Sequence, residues 1–179
     1  DWIASVDAAL ATLRERCDKV FMAGLSMGGL LTLYTAAMHA DSIAGIVTIN
    51  APLTIGSPDL ARLALSAAAP TMLPGIGSDI KAPGVKELAY DRLPVPALRQ
   101  IYALSAVTRD LLPRVRCPAL VMQSREDHLV SPANASAIAS QLGSDRVQLL
   151  YLNDSYHVAT LDNDKALIER RIVDFVRSI

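Results

Sequence analysis

Cysteine is nearly absent from this chain: Cys17 and Cys117 are its only two, a hundred residues apart. That excludes a disulfide framework and leaves no C-x-x-C pair for zinc. Two buried, reduced thiols is the expectation. An excess of either charge is also lacking. The formal charge is −1, with 17 basic and 18 acidic side chains interspersed. There is neither a basic stripe for nucleic acid nor a polybasic patch for a membrane surface. No uncharged apolar run reaches the about 18 residues of a membrane span. The nearest, Gly24 to Ala40, is broken by Ser26, three glycines and His39, so no stable membrane insertion is expected. Histidine is scarce, at positions 39, 128 and 157 only. The chain opens on Asp1-Trp2-Ile3 with neither a methionine nor a signal-peptide pattern, and runs straight into a helical period of Trp2, Val6, Ala9, Leu10 and Leu13.

What is present is a chain of 179 residues, 51% of them apolar, enough for one domain with a substantial core. A helix is expected over 1–16, then a short buried strand over Lys19–Ala23, a turn, and a helix from Gly29 to His39. Ile43–Ile49 is β-branched and ends at Asn50-Ala51-Pro52, which reads as a second buried strand and completes a βαβ unit. From Pro52 to Arg116 the texture changes, with eight of the ten prolines and only short apolar patches. This reads as an inserted, mostly helical excursion chopped by turn signals and ended by a helix from Pro96 to about Leu111. Regularity then returns. Pro118–Gln123 is a third strand, Ser131-Pro132 an N-cap with proline at the first helical position, and Gly143 a helix stop. Arg146–Leu152 is a fourth strand, and Asp164–Ser178 a closing helix burying Ala166, Leu167, Ile172, Val173, Phe175 and Val176. Alternating βα units predict an α/β fold, a mostly parallel sheet with helices on both faces. The organisation expected is residues 1–51 as core, 52–116 as a helical cap and return to the core, and 117–179 as core again.

The chemistry gathers at the carboxyl ends of the strands, where parallel α/β proteins build their sites. Ser26 is the centre of Gly24-Leu25-Ser26-Met27-Gly28, between a strand and a helix. A serine on such a sharp turn is forced into a strained backbone, and Gly24 and Gly28 are expected to leave it room. The turn exposes the hydroxyl and aims the first N–H groups of the following helix at the oxygen under attack. A serine hydroxyl needs a base to take its proton and a third group to orient that base. His39 lies about 15 Å or more down the helix from Ser26, which makes it a surface residue. His157, in Asn153-Asp154-Ser155-Tyr156-His157 after the last strand, is the best base. Asp127, in Gln123-Ser124-Arg125-Glu126-Asp127-His128 after the third strand, is the best orienting acid. Glu126 and His128 compete for these roles but, being adjacent to Asp127, point away from it. Taken singly, the serine reads as a tight turn, Asp127 as a cap for the turn before Leu129-Val130, and His157 as an exposed loop residue. Taken together, three residues of the right types fall on carboxyl-end loops in the order nucleophile, acid, base.

Three segments carry a family resemblance: Gly24-Leu25-Ser26-Met27-Gly28-Gly29, the run from Cys117 to Asp127, and Ser155-Tyr156-His157-Val158-Ala159-Thr160-Leu161-Asp162. They resemble the signature regions of bacterial α/β-hydrolase-fold carboxylesterases and monoacylglycerol lipases of the small capped type. The resemblance covers the whole chain, though Pro52–Arg116 matches in placement only. It implies Ser26 as nucleophile, Asp127 as acid, His157 as base, the Met27 N–H as an oxyanion donor, and Asp162 as a support near the histidine loop. It implies no cofactor and no metal, a small-molecule or lipid-like ester as substrate, and a cytoplasmic location, with secretion left open.

That family has further strands and a His-Gly turn, carrying a second oxyanion donor, ahead of the helix that opens this chain. The expectation is therefore a chain forming roughly the C-terminal two thirds of a hydrolase, its Lys19–Ala23 strand otherwise an unpaired apolar edge. The mechanism implied is ester hydrolysis through an acyl-serine, with Leu53, Ile55, Met72, Leu73 and Ile76 either lining the acyl pocket or gluing the cap to the core. Acyl transfer, thioester cleavage or cofactor-free haloperoxidase chemistry on the same triad, and a catalytically silent fragment, are the other readings.

Overall fold

Two strands buried on both faces organise the molecule, seen in a computed structural model that describes residues 1–179. In chain order the elements are α1 (Trp2–Arg14), β1 (Phe21–Leu25), α2 (Met27–Met38), β2 (Gly45–Ile49), α3 (Pro58–Leu65), β3 (Met72–Pro74), β4 (Arg92–Pro94), α4 (Val95–Leu111), β5 (Ala119–Ser124), α5 (Ala133–Gln141), β6 (Val147–Leu152) and α6 (Lys165–Arg177). The main sheet runs β1-β2-β5-β6 with every pair parallel. Every residue of the central β2 and β5 is buried. Ile46, Ala119 and Val121 face one way, into a cluster with Leu33, Ala36 and Ile138 of α2 and α5. Val47, Ile49, Leu120 and Met122 face the other way, onto Ile168 and Phe175 of α6. Both faces of the sheet are thus covered, as a parallel sheet requires.

Several boundaries differ from the sequence reading. The first strand lies two residues later than expected, at Phe21–Leu25, so it delivers the chain directly into the turn at Ser26. The helix after Ser131-Pro132 begins at Ala133 with Pro132 as its N-cap, and the Ser131 hydroxyl reaches only the Ala133 N–H, at 3.4 Å. On α6 the buried residues are Ile168 and Phe175, whereas Val173 is 45% exposed and Ala166 is also outside. A single sheet face meets a narrower stripe of that helix than its run of aliphatics implies. Cys117 is buried but Cys17 is exposed, against the expectation of two buried thiols.

The excursion is less helical than its composition implies. After α3 it forms a two-stranded antiparallel ribbon, Met72–Pro74 against Arg92–Pro94. Each strand is three residues long and contains proline, which suits a ribbon edge but hides the period from sequence. The chain returns along α4, whose Leu104 packs on Leu30 and Leu31 of α2. On the other flank, β1 is an edge strand bonded only to β2. Beside it α1 and β1 enclose an apolar groove of about 260 Å³ lined by Val6, Leu10, Val20 and Met22. A larger groove of about 680 Å³ lies between the start of α1, Leu31 and Leu104, and does not include Ser26. No helix is long and apolar enough to cross a membrane.

Candidate active site

Ser26 occupies the junction of β1 and α2 with φ 54° and ψ −122°, a left-handed backbone that a non-glycine residue adopts only under constraint. Its N–H is held by the Ile49 carbonyl of β2 at 2.9 Å. The close approach that makes the turn possible is between Gly24 and the start of α2. A Cβ on Gly24 would collide with the carbonyl carbon and oxygen of Gly28, and a Cβ on Gly29 would lie 2.8 Å from the Ala51 Cβ. A Cβ on Gly28 would meet nothing within 4 Å. Room for the turn therefore comes from Gly24 and Gly29, and the expectation that Gly28 supplies it is corrected. Met27 opens α2, so its N–H belongs to the first turn, whose donors have no intrahelical acceptor and carry the positive end of the helix dipole.

Against Ser26 stands His157, only 6% exposed, with Nε2 2.9 Å from the serine Oγ. Its Nδ1 lies 2.9 Å from Asp127 Oδ2 and 3.1 Å from Oδ1. The Asp127 side chain is wholly buried. Its orientation is fixed by donors from the Leu129 N–H at 2.9 Å, the Val130 N–H at 2.8 Å and Gln123 Nε2 at 3.1 Å. The turn-capping role and the histidine contact are thus made by one carboxylate. With Asp127 accepting at Nδ1, the imidazole carries its proton there and presents Nε2 as acceptor to the serine hydroxyl.

The backbone around His157 is anchored from two directions. From the sheet, buried Asn50, at the end of β2 with φ 51°, donates to the His157 carbonyl at 2.7 Å and accepts the Ser124 N–H at 2.7 Å. Ser124 Oγ in turn donates to the Tyr156 carbonyl at 2.8 Å. From below, Asp162 accepts the N–H groups of Lys81, Ala82, Tyr156 and Asn163 at 2.8–2.9 Å. Burial pushes the Asp162 carboxyl up, but those four donors outweigh it and hold it below the usual carboxylate value. Asp79, from the excursion, accepts the His157 N–H at 3.0 Å.

Of the sequence-derived residues, Ser26, Asp127 and His157 converge, with Met27 adjacent. The competitors lie elsewhere: Glu126 pairs with Lys81 at 2.7 Å, His128 Nδ1 with Asp79 at 2.7 Å, and His39 with Asp7 at 3.0 Å. A cleft of about 300 Å³ opens over Ser26 and His157. Of the five side chains expected to line it or to glue the cap, only Ile76 lines it. Leu53 is 1% exposed in the main core cluster, Ile55 and Leu73 are half-buried outside the cleft, and Met72 faces a separate hollow beside Tyr90 and Arg92. Sequence reasoning missed Asn50, Gln123, Ser124 and Asp79. The first three carried a signal, since each is a polar residue ending an otherwise apolar strand; Asp79 carried none. No group of three or more His, Cys, Asp or Glu side chains is arranged to hold a metal ion.

Comparison with known proteins gives one answer for the whole chain. Residues 1–164 match the family described as serine aminopeptidase, S33. The thermostable monoacylglycerol lipase of Bacillus sp. (strain H-257) is 46% identical over 176 residues, which are 98% of this chain and 69% of that protein. A solved structure from work on LipS and LipT, two metagenome-derived lipolytic enzymes, is 56% identical with TM-score 0.97, covering 99% of this chain and 73% of that one. The Paleococcus ferrophilus monoacylglycerol lipase shares the fold at TM-score 0.85 and 20% identity, covering 98% of this chain and 74% of that one. With a parallel α/β sheet, Ser26 at the turn after its first strand, and matches that span nearly all of this chain, one conclusion follows: the chain belongs to the serine aminopeptidase S33 family of α/β-hydrolases, among its serine ester hydrolases.

Proposed function

We propose that the protein hydrolyses carboxylic esters of the monoacylglycerol type through an acyl-enzyme on Ser26. His157 Nε2 takes the hydroxyl proton as Ser26 Oγ attacks the ester carbonyl, and Asp127 stabilises the imidazolium that forms. The Met27 N–H donates to the tetrahedral oxygen, where one such donor is worth about 10²–10³ in rate. Collapse expels the alcohol with the proton from His157, and water, deprotonated by the same nitrogen, then releases the acid. The observation that carries this reading is the unbroken line from Ser26 Oγ through His157 to a buried Asp127, each step 2.9 Å. Residues 52–116 act as the cap, and the cleft beneath it joins apolar Leu25, Ile76, Leu93 and Leu129 to polar Glu87 and Arg92, as an acyl chain with a hydroxylated head requires. The choice of a monoacylglycerol rests on the Bacillus relative at 46% identity. Two unpaired thiols support a reducing, cytoplasmic location.

Intact-mass analysis before and after a fluorophosphonate probe tests this, with Ser26→Ala as control. One adduct on the parent and none on the variant is expected, together with glycerol release from a monoacylglycerol and none of the amine from a peptide anilide. No adduct on the parent refutes the reading.

A further inference from the structure

Resting on the reading of Ser26, Asp127 and His157 as a triad, we propose that Asp79 is a positioning residue for His157. Through it the cap forms part of the triad's frame rather than a free lid. Asp79 lies 78 positions before His157, in the middle of the excursion, yet it takes both backbone donors that flank the imidazole. Its carboxylate accepts the His157 N–H at 3.0 Å, and its own carbonyl accepts the Val158 N–H at 3.0 Å. The same carboxylate accepts from His128 Nδ1 at 2.7 Å and from the His128 N–H at 3.3 Å, directly beside Asp127. One side chain therefore bridges the loop that carries the acid and the loop that carries the base.

On the sheet side, Asn50 and Ser124 hold the carbonyls of His157 and Tyr156; on the other side, the His157 N–H donates to Asp79. Without that acceptor the Tyr156 N–H keeps Asp162 and the Val158 N–H keeps the residue-79 carbonyl, but the His157 peptide between them is free to tilt, and that tilt swings Nε2 away from Oγ. Neighbouring contacts make the strap stiff enough to serve. Lys81 and Ala82 N–H groups bind Asp162, and Lys81 Nζ pairs with Glu126 at 2.7 Å and Asp154 at 3.2 Å, again one residue from each loop. The Asp79 side chain is 15% exposed, so water replaces it poorly once it is removed.

The test compares Asp79→Ala and Asp79→Asn with the parent. Asparagine can keep its Oδ1 on the His157 N–H and turn its amide donor toward an unprotonated His128 Nδ1, so it preserves the frame; alanine cannot. Asp79→Ala is expected to lower both the rate of Ser26 labelling and kcat by about 10–100-fold, the effect of displacing a reacting group by about 1 Å. KM should change far less, and Asp79→Asn should recover most of the loss. Amide hydrogen exchange separates local from global effects: the His157 N–H should be protected in the parent and fast in Asp79→Ala, while Val121 and Met122 of β5 stay slow in both. Should Asp79→Ala fail to fold, exchange on the parent still decides, because fast exchange at His157 there overturns the proposal. A parent that labels at Ser26 while Asp79→Ala labels as quickly overturns the Asp79 assignment alone. A parent that forms no adduct overturns the triad reading and this inference with it.

Discussion

One methyl group added at Gly24 and one at Gly28 should have opposite effects, although the two glycines flank Ser26 symmetrically in sequence. At Gly24 the new Cβ would stand 2.5 Å from the Gly29 nitrogen and nearer still to the Gly28 carbonyl. All of these atoms are backbone, so no rotamer relieves the overlap. Either β1 or the first turn of α2 must retreat by about 1 Å, and overpacking of that kind costs about 1–3 kcal/mol. The retreat also moves Ser26 Oγ relative to His157 Nε2, and a misplacement of about that size costs about 10²-fold in rate. At Gly28 the methyl meets nothing within 4 Å, and the residue already has helical geometry in α2. Gly28→Ala should therefore be neutral or raise stability by about 0.4–1 kcal/mol through the unfolded chain. Urea unfolding of Gly24→Ala and Gly28→Ala gives the stabilities, and the second-order rate of Ser26 labelling gives the reactivities. Equal losses at both positions, or tolerance at Gly24, would refute the account of which close approach builds the turn.

Two further outcomes follow from the buried groups. The Asp162 carboxyl is held below its ordinary value of 3.8, so its contribution is fully present above that pH and is lost as pH falls through the lower, folded value. The parent should exceed Asp162→Asn in stability by about 1–3 kcal/mol at neutral pH, with the gap closing in acid; a gap that widens on acidification, followed by urea melts across pH, would contradict this. Burial pushes the Cys117 thiol up to about 11, whereas Cys17 is exposed. A disulfide reagent near pH 8 should titrate one thiol in the native protein and two in denaturant, and two fast native thiols would argue against the packing around Cys117.

The sequence by itself determined the features that local chemistry encodes. Continuous apolar runs marked three strands, because a strand buried on both faces has no place for an interior charge, and Arg146–Leu152, which alternates before turning apolar, marked the fourth. Of the three histidines, His39 lies down a helix and His128 sits beside Asp127 and points away from it, so His157, in the loop after the last strand, was legible as the base from scarcity and position. The parallel topology followed from the alternation of strands and helices, and Asp127 from its place in the loop after the third strand; the strand order β1-β2-β5-β6 came from the tertiary structure. Tertiary structure alone decided what depends on distant partners. Gly29 rather than Gly28 makes room for the turn because Ala51, after a different strand, lies against it. Leu53 is core rather than pocket because its side chain packs into the main core cluster while its carbonyl accepts from Ser105 of α4. Asp79 meets His157 across 78 residues, and no local period records a contact made by a single side chain with a backbone N–H. A hydrogen bond of that kind selects the placement of two loops and not the type of either. Sequence therefore names the groups that react, and the packed fold determines which groups hold them in place.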